Sequence, residues 1–213
     1  MLTLVSTPIG NLGDMPPRGV TALQEADLVL CEDTRVTRKL TTRFGIETRL
    51  MALHDHNEQQ MVEGVLKLLH DGQKIALVSD AGMPLISDPG YRLVRAVIEA
   101  GLPLTGVPGA NAALMALQLS GLPTDRFLFA GFPPNKATAR QKWLANLANV
   151  PATLIFYESP KRLAATLADM ATVFGPRAAA VSRELTKQFE ETQRAGLDRL
   201  ARHYAEQGAP KGE

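Results

Sequence analysis

Five short apolar runs punctuate the first half of the chain: 2–5 (LTLV), 28–31 (LVLC), 50–53 (LMAL), 75–79 (IALVS) and 104–107 (LTGV). Each is continuously apolar rather than alternating, the pattern of parallel strands covered on both faces. Helical patterns lie between them. The clearest spans 58–71, where Met61, Val62, Val65, Leu66, Leu68 and Leu69 form one broad stripe, with Asn57 at the N-cap position and Gly72 as the stop. Strand–helix alternation of this kind predicts an α/β fold built on a parallel, doubly wound sheet. A Gly/Pro turn at 120–126 (SGLPTDR) breaks the pattern. It divides the chain into an N-terminal α/β domain over 1–120 and a smaller, mixed-sheet C-terminal α/β domain over 121–213. Within the latter, apolar runs occupy 127–130, 153–157 and 178–182. Ser159 as cap and Pro160 in the first turn open a helix over 160–174, which Gly175-Pro176 closes. The polar segment 186–193 predicts an exposed strand, and a helix follows over 197–207.

Composition narrows the class. The 213 residues are 45% hydrophobic and 21% charged, enough to bury a sizeable core. With 23 basic against 22 acidic residues the net charge is +1, which excludes a charged disordered tail. It also excludes nucleic-acid affinity built on bulk charge, so any such affinity needs a local basic face. Cys31, the single cysteine, forms no internal disulfide and ends a buried run, the pattern of inert packing in a reducing compartment. No run of about 18 apolar residues spans a membrane, and the N-terminus enters a strand without a basic leader; a cytoplasmic protein is expected.

In an open parallel sheet, ligands bind outside the carboxyl ends of the strands. The segments after the five runs are TPIGNLGD (7–14), EDTR (32–35), HDHN (54–57), DAGMPLISDPG (80–90) and PGAN (108–111). Glycine, proline and acidic residues concentrate on this one edge, where bare backbone lets a ligand approach closely. Gly10 and Gly13 lack the spacing of a dinucleotide fingerprint, and neither a phosphate-loop motif nor a G-x-S-x-G elbow occurs. His54, His56 and Glu63 make a poor zinc set, so no metal is expected.

Seven segments occur in order along the chain: TPIGNLGD (7–14), CEDTR (31–35), ALVSDAGMPLISDPG (76–90), VPGANAA (107–113), SGLPTDRF (120–127), FYESPKR (156–162) and RELTKQFEE (183–191). Together they closely resemble the ribosomal RNA small subunit methyltransferase I family, within the tetrapyrrole methylase superfamily, over essentially the whole chain. The resemblance implies methylation of a cytidine ribose 2′-hydroxyl in the decoding centre of 16S rRNA, within the small ribosomal subunit, by a homodimer using S-adenosyl-L-methionine. It implies two α/β domains with the methyl donor between them. Carried position by position, it assigns Thr7, Pro8, Gly10, Asp80, Ala81, Gly82, Met83, Pro84, Ser87, Pro108 and Gly109 to the donor. It adds Tyr157, Glu158, Ser159, Arg183, Glu184, Leu185 and Thr186 from the second domain. Met83 stands where the family usually has threonine, and Asn111 replaces a small or hydroxyl side chain. Family members also continue past the KGE at 211–213 with a further strand and a small helical tail, so the resemblance implies a second sheet short of one strand unless a partner supplies it.

Methyl transfer from a sulfonium is an in-line displacement, so alignment of the reacting atoms dominates, and a nearby carboxylate or lysine can take the hydroxyl proton. Glu32, Asp33, Asp88 and Lys187 are the candidates, with Asp88 and Glu32 the catalytic pair of choice. Against them stand capping or pairing with Arg35 for Glu32 and Asp33, and capping of the following helix for Asp88. RNA phosphates need cations. Arg35, Arg38, Lys39 and Arg43 share one helix face; Lys136, Arg140, Lys161 and Arg162 lie in the second domain. Two other readings compete: a superfamily transferase acting on a tetrapyrrole or a modified protein histidine, and a chain that binds donor or RNA without turnover. Aromatic residues at 5% leave little for a large apolar tetrapyrrole groove.

Overall fold

Leu28, Val29, Leu30 and Cys31 are all buried, as are Ile75, Ala76, Leu77 and Val78, so strands β2 (Leu28–Cys31) and β4 (Ile75–Val78) are covered on both faces. The computed structural model describes residues 1–213, which divide into two units, Met1–Asn111 and Ala112–Glu213. In the first, β1 (Leu2–Val5), β3 (Leu50–Ala52) and β5 (Leu104–Val107) complete a five-stranded, wholly parallel sheet in the order β3-β2-β4-β1-β5. The connecting helices are α1 (Pro17–Gln24), α2 (Thr34–Arg43), α3 (Glu58–His70) and α4 (Tyr91–Glu99). Strand alternation sorts the core into two layers. Leu2, Leu28, Leu30, Ile75 and Leu77 meet Val65, Leu69, Leu93 and Val97 of α3 and α4. Val5, Val29, Cys31, Ala76 and Val78 meet Leu23 and Leu40 of α1 and α2 on the other face.

Two local expectations are corrected here. Asn57 precedes α3 but does not cap it through its side chain. Its amide instead closes the preceding turn, accepting from His54 N at 2.8 Å and donating to Ala52 O at 3.0 Å. Asp88 does not cap α4. Gly90 occupies the cap position, and the free amide of Leu93 is met by the buried carboxylate of Glu58 at 3.0 Å.

The second unit opens with α5 (Ala112–Ser120), followed by β6 (Phe127–Phe129), α6 (Ala137–Ala145), β7 (Thr153–Ile155), α7 (Leu163–Phe174), β8 (Ala178–Arg183), β9 (Glu191–Gly196) and α8 (Leu197–Gln207). β6 and β7 pair in parallel, and β8 and β9 pair antiparallel as a separate ladder. Helix α5 lies ahead of the 120–126 turn yet belongs to this unit. Ala113 and Leu117 pack on Ile155, the helix also packs on β8 and β9, and Arg194 donates to the carbonyl of Leu119 near its end. Helix α7 begins at Leu163, later than Pro160, and it is the carbonyl of Ser159 that receives its first amides. The polar strand is displaced to Glu191–Gly196, because residues 184 and 186 take left-handed backbone that no strand accommodates.

A charged network sits inside this unit. Arg140 is 5% exposed; its Nε donates to Asp169 at 2.6 Å and its Nη1 to the carbonyl of Asn135 at 3.1 Å. Gln141 donates to the other oxygen of Asp169 at 2.6 Å. Asp169→Ala leaves a buried guanidinium without its counter-charge and is expected to lower unfolding stability by about 3–5 kcal/mol. Urea denaturation of the variant checks this, and a loss below about 1 kcal/mol would show the pair to be dispensable.

Candidate active site

The winding direction of the sheet reverses between β1 and β4. The chain leaves β1 toward β2 through α1 on one face, and leaves β4 toward β5 through α4 on the other. At such a switch point the carboxyl ends of neighbouring strands part and open a crevice. The two diverging loops are pinned at their roots. Thr7 N donates to Gly82 O at 2.8 Å, and Gly82 N donates back to Thr7 O at 3.1 Å. The Thr7 hydroxyl donates to Ser79 O at 3.2 Å, and the Ser79 hydroxyl donates to Gly82 O at 3.2 Å. Ser6 ties in the loop after β5 by donating its hydroxyl to Val107 O at 3.1 Å. Approach this close requires glycine: a Cβ on Gly109 would stand 2.8 Å from that of Ser6, and Gly82 has φ +81°.

The residues assigned to the donor from the first unit therefore line the loops around this crevice, in different degrees of exposure. Thr7, Pro8, Gly82 and Pro84 are buried, and the Thr7 hydroxyl is committed within the protein. Asp80 and Met83 are half-buried, whereas Gly10, Ala81, Ser87, Pro108 and Gly109 are exposed. Leu85 and Ser87 adopt left-handed backbone at φ 72° and 67°. Non-glycine residues held so cost of order 1 kcal/mol each and cluster at ligand-binding segments.

Beside these loops stands a group of carboxylates. Burial pushes the Asp88 carboxyl up to about 6, with the charge of Glu32 adding to it and the Ser79 hydroxyl opposing it. Glu32 is raised by burial, then by Asp80, Asp55 and Asp33. Asp80 is raised by burial even though it accepts from the amide of Asp33 at 3.1 Å. Asp33 belongs to the scaffold: it caps α2 by accepting from Arg35 N at 2.8 Å and grips the Arg35 guanidinium, contacts that lower its carboxyl to about 2. Two contributors lay outside the sequence assignment. Asp55, in the loop after β3, adds to the negative field, and Ser79 is the polar end of an otherwise apolar strand run. The signal for both was an acid or hydroxyl at a strand's carboxyl end.

In the second unit, Tyr157 follows β7 and meets Phe129 edge-on at 4.8 Å. The Glu158 carboxylate turns inward, accepting from Ser159 N at 2.7 Å and the Thr166 hydroxyl at 2.6 Å while pairing with Arg162 at 3.1 Å. Arg183 pairs with Glu191 at 2.7 Å, Leu185 is buried, and Glu184 and Thr186 are left-handed at φ 51° and 65°. These two, with Leu85 and Ser87, are the only non-glycine residues of the chain at positive φ. Lys187 is corrected as a proton acceptor. Burial lowers its ammonium pKa, but the carboxylates of Glu213 and Glu184 outweigh that and raise it, holding it charged.

The basic residues divide likewise. Arg38, Lys39 and Arg43 are exposed on α2, and with Thr34, Arg35 and Thr42 the first two line a shallow open recess. Arg35 shares its charge with Asp33. Lys136 and Lys161 are exposed. Arg140 is corrected as a phosphate ligand, being buried on Asp169, and Arg162 is spent on Glu158 and on the carbonyl of Pro133 at 2.6 Å. His54 and His56 stand edge to face at 5.9 Å, and no group of three or more His, Cys, Asp or Glu side chains is placed to hold a metal ion. The Cys31 thiol, raised by burial, lies 3.8 Å from Met51 O in the core. No helix is long and apolar enough to cross a membrane.

Comparison with known proteins agrees with this architecture. The family model for Tetrapyrrole (Corrin/Porphyrin) Methylases matches residues 1–201. A protein of Mesorhizobium japonicum named ribosomal RNA small subunit methyltransferase I is 52% identical over 213 residues, covering 100% of this chain and 72% of its own. The namesake from Escherichia coli O157:H7 is 50% identical over 200 residues, 93% of this chain and 70% of its own. Among solved structures, uroporphyrin-III-C-methyltransferase from Thermus thermophilus superposes with a TM-score of 0.67 at 19% identity over 99% of this chain and 90% of that one. Diphthine synthase does so at 0.66 and 16% identity, over 94% and 84%. These two likenesses establish the fold, whose family uses S-adenosyl-L-methionine as methyl donor. The sequence identities establish more: the chain belongs to the ribosomal RNA small subunit methyltransferase I family of the tetrapyrrole methylases.

Proposed function

We propose that this protein methylates 16S rRNA within the small ribosomal subunit, at the ribose 2′-hydroxyl of a cytidine in the decoding centre, as a cytoplasmic homodimer. One observation carries the reading beyond family membership. Glu32, Asp80 and Asp88 gather at the switch point of the sheet, with carboxyls that burial first and neighbouring carboxylates second hold above their usual range. Such a field suits S-adenosyl-L-methionine, which carries positive charge on its sulfonium and its amino group, and repels bare phosphate. The glycines at 82 and 109 let the roots of the same loops approach one another closely at this edge.

When bound, the donor supplies a methyl group already activated as a sulfonium substituent. The chain's residues do the remainder. The loops 7–13, 80–90 and 108–111 hold the donor, Glu32 and Asp80 attract its cationic groups, and the Asp88 carboxylate takes the proton from the substrate hydroxyl. A carboxyl near 6 is a stronger acceptor than an ordinary aspartate and is still ionised at neutral pH. On α2, Arg38, Lys39 and Arg43 supply exposed charge for RNA phosphates.

The deciding assay incubates small subunits lacking the modification with labelled donor and maps the product by nuclease digestion and mass spectrometry. Label on a cytidine ribose supports the proposal; label on a base, or none, refutes it. In the same assay the rate is expected to rise tenfold per pH unit below about 6 and level off above it. Asp88→Asn should lower the plateau by about 100-fold or more and flatten the profile.

Stability moves the opposite way. The Asp88 carboxyl is easier to protonate folded than unfolded, so its ionisation opposes folding, from pH 3.8 upward and fully above about 6. Asp88→Asn is therefore expected to be about 1–2 kcal/mol more stable than wild type at pH 7.5 and no more stable near pH 4, read by thermal denaturation. Equal stability at both values would remove the burial argument.

Replacing Arg38 and Lys39 by alanine should weaken small-subunit binding at low salt. It should also reduce the slope of log K against log salt by between one and two. An unchanged slope would take α2 off the RNA surface.

A further inference from the structure

At the carboxyl end of β6 the chain passes through Gly131-Phe132-Pro133-Pro134-Asn135 before α6. The two prolines have no amide to donate, and the carbonyls here are taken up by buried or half-buried arginines. Arg162 bonds Pro133 O at 2.6 Å and Pro134 O at 3.2 Å, and Arg140 bonds Asn135 O at 3.1 Å. Gly131 O accepts from Tyr157 N at 3.0 Å, fixing the loop's other end to the segment after β7. On this stiff support Phe132 is 55% exposed, backed by the Tyr157 ring at 5.5 Å and a 59° tilt; Tyr157 is in turn backed by Phe129. A large apolar side chain is thus held out to solvent by a loop with little freedom to withdraw it.

The surrounding charge is positive. Lys136 ends the loop and is exposed, and Lys161, also exposed, neighbours the arginine that grips Pro133. Residues 127–136 contain no acid, and the nearby carboxylate of Glu158 is buried under Arg162, Thr166 and the Ser159 amide. A rigid aromatic face flanked by solvated cations is the chemistry that holds an unstacked nucleobase, its ring on the face and its phosphates on the cations.

We propose that Phe132 is a stacking platform for a splayed-out base of the RNA substrate, with Lys136 and Lys161 on the adjoining phosphates. This rests on the RNA reading above and adds a recognition residue to it. The competing aromatic ligand, the donor's adenine, fits less well: the donor has no phosphate and carries its own positive charge, which the lysines repel.

The test compares wild type with Phe132→Ala, Phe132→Leu and Phe132→Trp. Methyl transfer to unmodified small subunits gives KM and kcat, calorimetry gives the affinity for S-adenosyl-L-methionine, and sedimentation gives the oligomeric state. Phe132→Ala and Phe132→Leu are expected to raise KM for small subunits on the order of tenfold with donor affinity unchanged, and Phe132→Trp to restore it. Quenching of the added indole by a short single-stranded oligocytidylate, absent at Trp143 in the parent protein, is expected as well. Quenching reads stacking without turnover, so it stands even where wild type fails to methylate the particle, an outcome that would sink the substrate assignment alone. The platform is overturned by an unchanged KM in Phe132→Ala, by full activity in Phe132→Leu, or by no added quenching. It is overturned equally by a loss confined to donor affinity or by a shift in oligomeric state, which would assign the ring to the donor or to a second copy of the chain.

Discussion

Strand–helix–strand crossovers are right-handed because right-twisted strands and right-handed helices pack back on a sheet only in that sense. In the order β3-β2-β4-β1-β5 this sends α1 and α2 to one face and α3 and α4 to the other, and the two apolar layers sort themselves accordingly. Adjacent strands β1 and β4 must then release their chains in opposite directions. The loops diverge from roots that are only a hydrogen bond apart, Thr7 to Gly82. The positions of the glycines, the inward-committed hydroxyls of Thr7 and Ser79, and the carboxylates at that edge all follow from the need to close such a fork without filling it.

The price of the arrangement is electrostatic and conformational. Carboxyls that burial and like charge keep above their usual range oppose folding at neutral pH, and left-handed Leu85 and Ser87 add backbone strain. Both of these costs fall on the loop after β4 and its neighbours. A protein tolerates such a concentration where preorganised charge does work that a relaxed loop would not.

Much of this was readable in the chain. Runs such as LVLC and IALVS are covered on both faces, so their apolar character survives at every position and marks them without ambiguity. Helix 58–71 differs from α3 by a single residue at its end. Local chemistry misled where a distant partner intervened. Asn57 and Ser159 have the composition of caps, but the Asn57 amide closes a loop and Ser159 contributes its carbonyl. Nothing near Asp88 reveals that Glu58 caps the helix after it. Arg140 was read as a phosphate ligand and Lys187 as a proton acceptor, whereas Asp169 claims the first from a different helix and Glu184 and Glu213 claim the second. The placement of α5 with the second unit is likewise a packing outcome on β8 and β9, which no turn signal carries.

The loop at Pro133-Pro134 has a spectroscopic corollary. At these two residues its stiffness leaves no mark in amide hydrogen exchange, since neither carries an amide hydrogen to exchange. The reporters are instead the guanidinium Nε protons of the arginines that hold it. That of Arg140 is locked on Asp169 at 2.6 Å, and that of Arg162 is buried without a hydrogen-bond partner. Slow exchange at these two sites is where the rigidity of the support at Pro133-Pro134 becomes visible.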